Sequence, residues 1–157
     1  MQIIAQVIRG SHGDVLVRQK SGSELELGDL LVSEDANGEK TILQVFDLCY
    51  GSQMEDKTLE LASGTQLEGF SHSTQFIDEH MRSYILARVK TLIEVNAARA
   101  RSPKSLPKAF STLRQATSDD LSFLQKQDNT LLVGYVRSGS KTLNAPLYLN
   151  ARDTLSH

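Results

Sequence analysis

The strongest constraint on this chain is a set of short apolar runs in its first third, each ended by turn residues. They are Ile4-Ala-Gln-Val-Ile-Arg-Gly-Ser11, Leu27-Gly-Asp-Leu-Leu-Val32 and Leu43-Gln-Val-Phe-Asp-Leu-Cys-Tyr-Gly-Ser52. Each is short for an independent helix and rich in residues that suit a pleated, half-buried surface. Gly, Asp and Asn punctuate them. Such segments bury their apolar faces by pairing with one another, and the pattern reads as the start of a small β-barrel.

The rest of the chain fits that frame. Ser11-His-Gly-Asp14 turns the first strand into a second that carries Val15, Leu16 and Val17, which predicts a hairpin. Gly28-Asp29 puts a bend in a strand over Leu25–Val32. Asp35-Ala-Asn-Gly38 favours a tight turn into a strand over Lys40–Tyr50. Gly64 limits a helix to Met54–Ser63, and Ser73-Thr74 caps a short helix through Met81. Tyr84–Val95 reads as a long strand, with helix as the rival. Pro103 and Pro107 make Asn96–Phe110 a loop or extended arm. Thr117-Ser-Asp-Asp120 is a helix-start signal, with acids where the helix dipole favours them. Thr130–Arg137 and Ala145–Leu149 complete the strands and are expected to pair back with the first half and close the barrel.

The predicted class is therefore mainly β: a small closed or partly open β-barrel with two or three short helical insertions in one domain, 1–157. Barrel strands fall within 1–52, 84–95 and 130–149. Insertions occupy 53–83 and 96–129, and 150–157 reads as a linker.

Composition excludes more than it assigns. With 157 residues, 39% hydrophobic and 23% charged, the chain can bury a core and is not compositionally disordered. Cys49 is the sole cysteine, so an intrachain disulfide is excluded and a reducing, cytoplasmic setting is expected. No apolar run approaches the length of a membrane-spanning helix, and no membrane partner is expected. The net charge of −2 hides an asymmetry. Residues 1–87 hold 6 Lys/Arg and 14 Asp/Glu, whereas residues 88–157 hold 11 and 5.

Signals for catalysis are weak. Gly134-Tyr-Val-Arg-Ser-Gly-Ser-Lys-Thr142 approaches a phosphate-binding loop, but Ser140 separates the glycine from the lysine. A strand, not a helix, is predicted to follow, so a hairpin turn accounts for these residues. His12, His72, His80 and His157 are scattered without metal-ligand spacing. Asp78-Glu79-His80 fits a solvated helix start, and Asp119-Asp120 a cap rather than a carboxylate dyad. No catalytic residue, cofactor site or metal site is assigned, and the chain is not expected to be an enzyme. The basic arm offers Arg99, Arg101, Lys104 and Lys108 as candidate DNA-phosphate contacts, with Phe110 the one nearby stacking platform.

Beyond the opening motifs, Tyr84–Val95, Leu132-Val-Gly-Tyr-Val-Arg-Ser-Gly-Ser140 and Pro146-Leu-Tyr-Leu-Asn-Ala-Arg-Asp-Thr-Leu-Ser-His157 complete a pattern. It resembles the N-terminal HAS barrel of HerA-type hexameric DNA-translocating ATPases. The resemblance covers most of the chain and is weakest at 53–82 and 96–116. In that family, residues like the final Asp-x-Leu-Ser-His lead directly into the ATPase domain. The resemblance thus implies an excised or truncated domain, with the ATP-binding lysine, acidic metal ligand and arginine finger all beyond His157. ATP and Mg belong to that motor domain. It further implies a homo-oligomer, hexameric in the full-length protein, that contacts DNA, docks a NurA-type nuclease and serves DNA end processing and recombination repair. For docking, Met54, Leu59, Leu61, Leu67 and Phe70 in the 53–72 insertion are the candidates. The alternative is a freestanding β-barrel adaptor or nucleic-acid-binding module.

Overall fold

The computed structural model of the protein describes residues 1–69, 83–97, 99–124 and 127–152. Its strands are β1 (Ala5–Ser11), β2 (Asp14–Gln19), β3 (Leu30–Glu34), β4 (Lys40–Gly51), β5 (Tyr84–Asn96), β6 (Arg99–Arg101), β7 (Thr112–Gln115), β8 (Thr130–Ser138) and β9 (Lys141–Asn150). Among the described residues, one α-helix, α1, spans Asp56–Leu67, and a 3-10 turn spans Ser118–Leu121.

Six strands close an antiparallel barrel in the order β2-β1-β7-β3-β4-β5, with β5 returning to β2. β6 adds to the end of β5. The alternation of β2 is the simplest case: Val15 and Val17 point inward and are buried, while Asp14 and Leu16 are only partly covered. Inside the barrel, Val7, Val15, Val17, Leu31, Leu43, Val45, Val89 and Leu113 form one continuous core. β3 is buried on both faces, which is why Leu30-Leu31-Val32 has no polar alternation. Leu31 faces the barrel interior, whereas Leu30 and Val32 join a second cluster with Ile42, Ala116, Leu121 and Ala145.

Local signals in the sequence translate well. At the Asp35–Glu39 turn, the Asp35 carboxylate accepts from the Asn37 and Glu39 N–H groups, and Gly38 takes φ +77°. Tyr84–Asn96 is a strand, which decides against the helical alternative.

Three expectations need correction. The closing strands are not the last two: β8 and β9 pair with each other as a separate hairpin. Closure comes from β2–β5, and β7, inside the expected 96–129 insertion, fills the gap between β1 and β3. β7 has four residues with Leu113 its one large apolar side chain, too little for a periodic signal. β6 likewise lies within the stretch read as a loop or extended arm, and its three residues pair with β5. Gly64 does not end α1, because a lone exposed glycine costs only about 1 kcal/mol against alanine. At the Gly28-Asp29 bend the chain pairs with β4, the Gly28 N–H donating to the Val45 carbonyl at 2.8 Å and the Val45 N–H to the Asp29 carbonyl at 2.9 Å, while the Asp29 carboxylate accepts from the Glu26 N–H at 2.8 Å. The expected helix ending at Met81 lies outside the described residues.

Candidate functional site

The hairpin β8–β9 is fastened to the barrel at its turn. The Leu30 N–H donates to Ser138 Oγ at 2.8 Å, and Ser138 Oγ donates to the buried Asp29 carboxylate at 3.4 Å. The Ser140 N–H donates to Glu26 Oε2 at 2.7 Å. This bonding from Ser140, aided by the charge of Lys141, holds the Glu26 carboxyl below its ordinary range. Gly139 is required between them: its φ is +55°, and a Cβ there would stand 2.5 Å from Asp29 Oδ1 and 2.6 Å from Glu26 Oε2. The segment that approached a phosphate-binding loop is thus the turn of an antiparallel hairpin, and no helix opens at Lys141.

Near this turn the hairpin packs on the barrel: Ala145 is buried, and Val136 and Leu143 lie against the second cluster. Farther out it does not. Leu131, Leu132, Val133, Tyr135, Leu147 and Leu149 are 41–57% exposed. The register sets Leu131 opposite Leu149 and Leu132 opposite Tyr148, so adjacent pairs put apolar side chains on both faces. Among the described residues, β8 and β9 pair with no other strand, so their outer edges are open. A two-stranded ribbon with apolar faces and open edges is the kind of surface that proteins cover with a partner. Sequence reading assigned these strands to the barrel. The available signal was Leu131-Leu132-Val133, a run with no polar alternation in a strand that the barrel does not surround.

The docking candidates near α1 are divided. Met54 and Leu59 are partly buried and line a shallow cleft with Tyr50 and Gly51 at the end of β4. Leu61 is 71% and Leu67 83% exposed, and no residue of α1 is buried. Phe70 lies outside the described residues.

The basic arm is divided as well. Arg101 donates through Nε to Glu94 Oε2 at 2.9 Å and also pairs with Glu39. Ser105 Oγ donates to the other Glu94 oxygen at 3.0 Å. Burial would raise the Glu94 carboxyl, yet these bonds from Ser105 and Arg101 outweigh it and the net shift is downward. Arg101 is therefore committed to the fold. Arg99, Lys104 and Lys108 are exposed and in no ion pair among the described residues.

The most strongly perturbed carboxylate, Asp120, is structural. It accepts two bonds from Arg114, one from Lys40, and the N–H and Oγ1 of Thr117 as the cap of the 3-10 turn. Among the described residues, no three His, Cys, Asp or Glu side chains gather as a metal site. His72 and His80 lie outside them. No described helix is long and apolar enough to cross a membrane. No protein-family model and no curated protein matches the chain.

Proposed function

We propose that this chain is a non-catalytic assembly and docking module, the HAS-type N-terminal barrel of a HerA-like hexameric DNA translocase. The observation that supports it is the hairpin β8–β9: rigidly fastened at Ser138–Ser140, apolar on both faces farther out, and carried by a barrel whose own six strands are fully paired. A closed barrel is a stable platform with little tendency to pair edge to edge, so association concentrates at the projecting ribbon. The quoted strand motifs supply the family part of the reading. On this reading, ATP and Mg act in the motor domain of the full-length protein. The ring processes DNA ends for recombination repair with a NurA-type nuclease as partner.

The test is the native mass of the protein in its own cells, probed with an antibody against this barrel. The expected result is a species several times heavier than 17.4 kDa, whose immunoprecipitate hydrolyses ATP and sediments as a ring. Introducing Leu131→Ser with Leu149→Ser in that protein is expected to weaken the assembly. A native species of 17.4 kDa moves the assignment to the alternative, a freestanding adaptor or nucleic-acid-binding barrel. Lys104 and Lys108, in no ion pair among the described residues, and the exposed Phe110 of the same arm favour the nucleic-acid form of that second reading.

A further inference from the structure

We infer that the rim formed by β1 and the arm 102–111 binds single-stranded nucleic acid, with phosphates along Arg9, Lys104 and Lys108 and a base against Phe110. This inference deepens the nucleic-acid form of the second reading, does not depend on the assembly reading, and uses no hairpin residue.

The arm is laid along β1. At one end His12 Nε2 lies 3.4 Å from the Pro103 carbonyl oxygen. At the other, the Phe110 N–H donates to the Val7 carbonyl at 2.9 Å, Gln6 Nε2 donates to the Phe110 carbonyl at 2.9 Å, and the Val7 N–H donates to the Ser111 carbonyl at 2.9 Å. Residues far apart in sequence thus share one rim, a track of about 20 Å from the rise of β1. Arg9, Lys104 and Lys108 on it are exposed, and none is in an ion pair among the described residues. Nearby Arg88 and Arg101 are different: Arg88 pairs with Asp14 and Asp47, and Arg101 with Glu39 and Glu94. The structure therefore removes Arg101 from the phosphate-binding set, leaves Arg99 outside this rim on β6 opposite Asn96, and adds Arg9.

Phe110 supplies the second, independent observation. Its φ is +63°, the left-handed region that a non-glycine residue occupies under strain. Its N–H bond to the Val7 carbonyl and the Gln6 side-chain bond to its own carbonyl hold it there, yet the residue is 70% exposed and receives little packing in return. It stands at an open cleft of about 420 Å³ with Leu106, Pro107 and Ala109 on its own side. Glu34, Asp35, Glu39 and Glu94 line the same cleft, together with Lys108. Those carboxylates repel phosphate, which disfavours a backbone running through the cleft itself. They are suited to accept from base amino groups, so the base turns toward the cleft and stacks on the ring. An anionic membrane surface would meet the same carboxylates face on, whereas a flexible strand follows the track around them.

The experiment is fluorescence anisotropy of the whole chain with a labelled 15-nucleotide single strand, its duplex, and phosphatidylserine vesicles as the lipid arm. The expected result is a preference for the single strand. Three phosphate contacts imply an affinity loss of about 20-fold between 50 and 200 mM salt. The Arg9→Ala, Lys104→Ala, Lys108→Ala triple variant is expected to abolish binding. Lys57→Ala on α1 is the control that leaves it unchanged. Phe110→Gly is expected to lower affinity about fivefold or more while leaving the melting temperature equal or higher, because glycine relieves the strain. The inference is overturned by no binding at 50 mM salt, by full binding in the triple variant, by equal affinity in Phe110→Gly, or by a preference for vesicles. None of these outcomes touches the mass of the native assembly.

Discussion

Arg114 and Asp120 meet through two parallel hydrogen bonds, Nη1 to Oδ2 at 2.6 Å and Nη2 to Oδ1 at 2.7 Å, with both side chains buried. The pair joins β7, which completes the barrel, to the 3-10 turn that covers the outer face of β3. Truncating Arg114 removes two charge-assisted bonds and leaves Lys40 as the cation still bonded to Asp120, and breaking a buried pair costs up to about 3–5 kcal/mol. Arg114→Ala is expected to lose stability of that order in urea denaturation. A loss under about 1 kcal/mol would show that the pair behaves as a surface ion pair.

Asp120 also sets an acid limit. Burial alone would raise its carboxyl, but the bonds from Arg114, Thr117 and Lys40 outweigh it and hold it well below the carboxylate range. Because the folded value is depressed, unfolding takes up protons as the medium turns acid. The stabilisation is fully present above the unfolded value near 3.8 and is lost as pH falls through the folded one. The melting temperature is expected to fall more steeply below about pH 4 in the parent chain than in Asp120→Asn. Parallel slopes would assign the acid sensitivity to other groups.

Gly139 holds the hairpin to the barrel without belonging to either core. Gly139→Val drives a side chain into the Asp29 and Glu26 carboxylates at a positive φ. Protease cleavage at Arg137 and Lys141 is expected to accelerate about fivefold or more through local opening. The six-stranded barrel, whose core does not include the hairpin, is expected to keep its cooperative unfolding. Unchanged cleavage would mean the turn is held by other contacts.

Exposure separates packing from docking around α1. Leu61→Ala and Leu67→Ala are expected to change stability by less than about 0.5 kcal/mol, since both side chains are largely in solvent. Leu31→Ala, at the fully buried centre of the barrel, is expected to cost about 2–5 kcal/mol. Denaturant midpoints of the three variants check the contrast. A large loss at Leu61 or Leu67 would return those residues to the packed interior.

The amino-acid sequence by itself determined the local elements. Val15 and Val17 specify a strand with one buried face, Asp35 and Gly38 specify the turn between β3 and β4, and Thr117 with Asp120 specify a cap. Each rests on contacts between residues a few positions apart. Tertiary structure decided what covers each face. β2 finds β5 some seventy residues away, as in Val17 beside Ala87, and β7 enters the ring with one large apolar residue. Strand alternation states that a face is buried but not against what, and long loops add little to the cost of closure, so several closures compete on local signals alone. The same reason explains the divided sites. Nothing near Arg101 in sequence reveals Glu39, and Leu131-Leu132-Val133 signals a strand apolar on both faces without revealing what covers it or that the barrel closes without it.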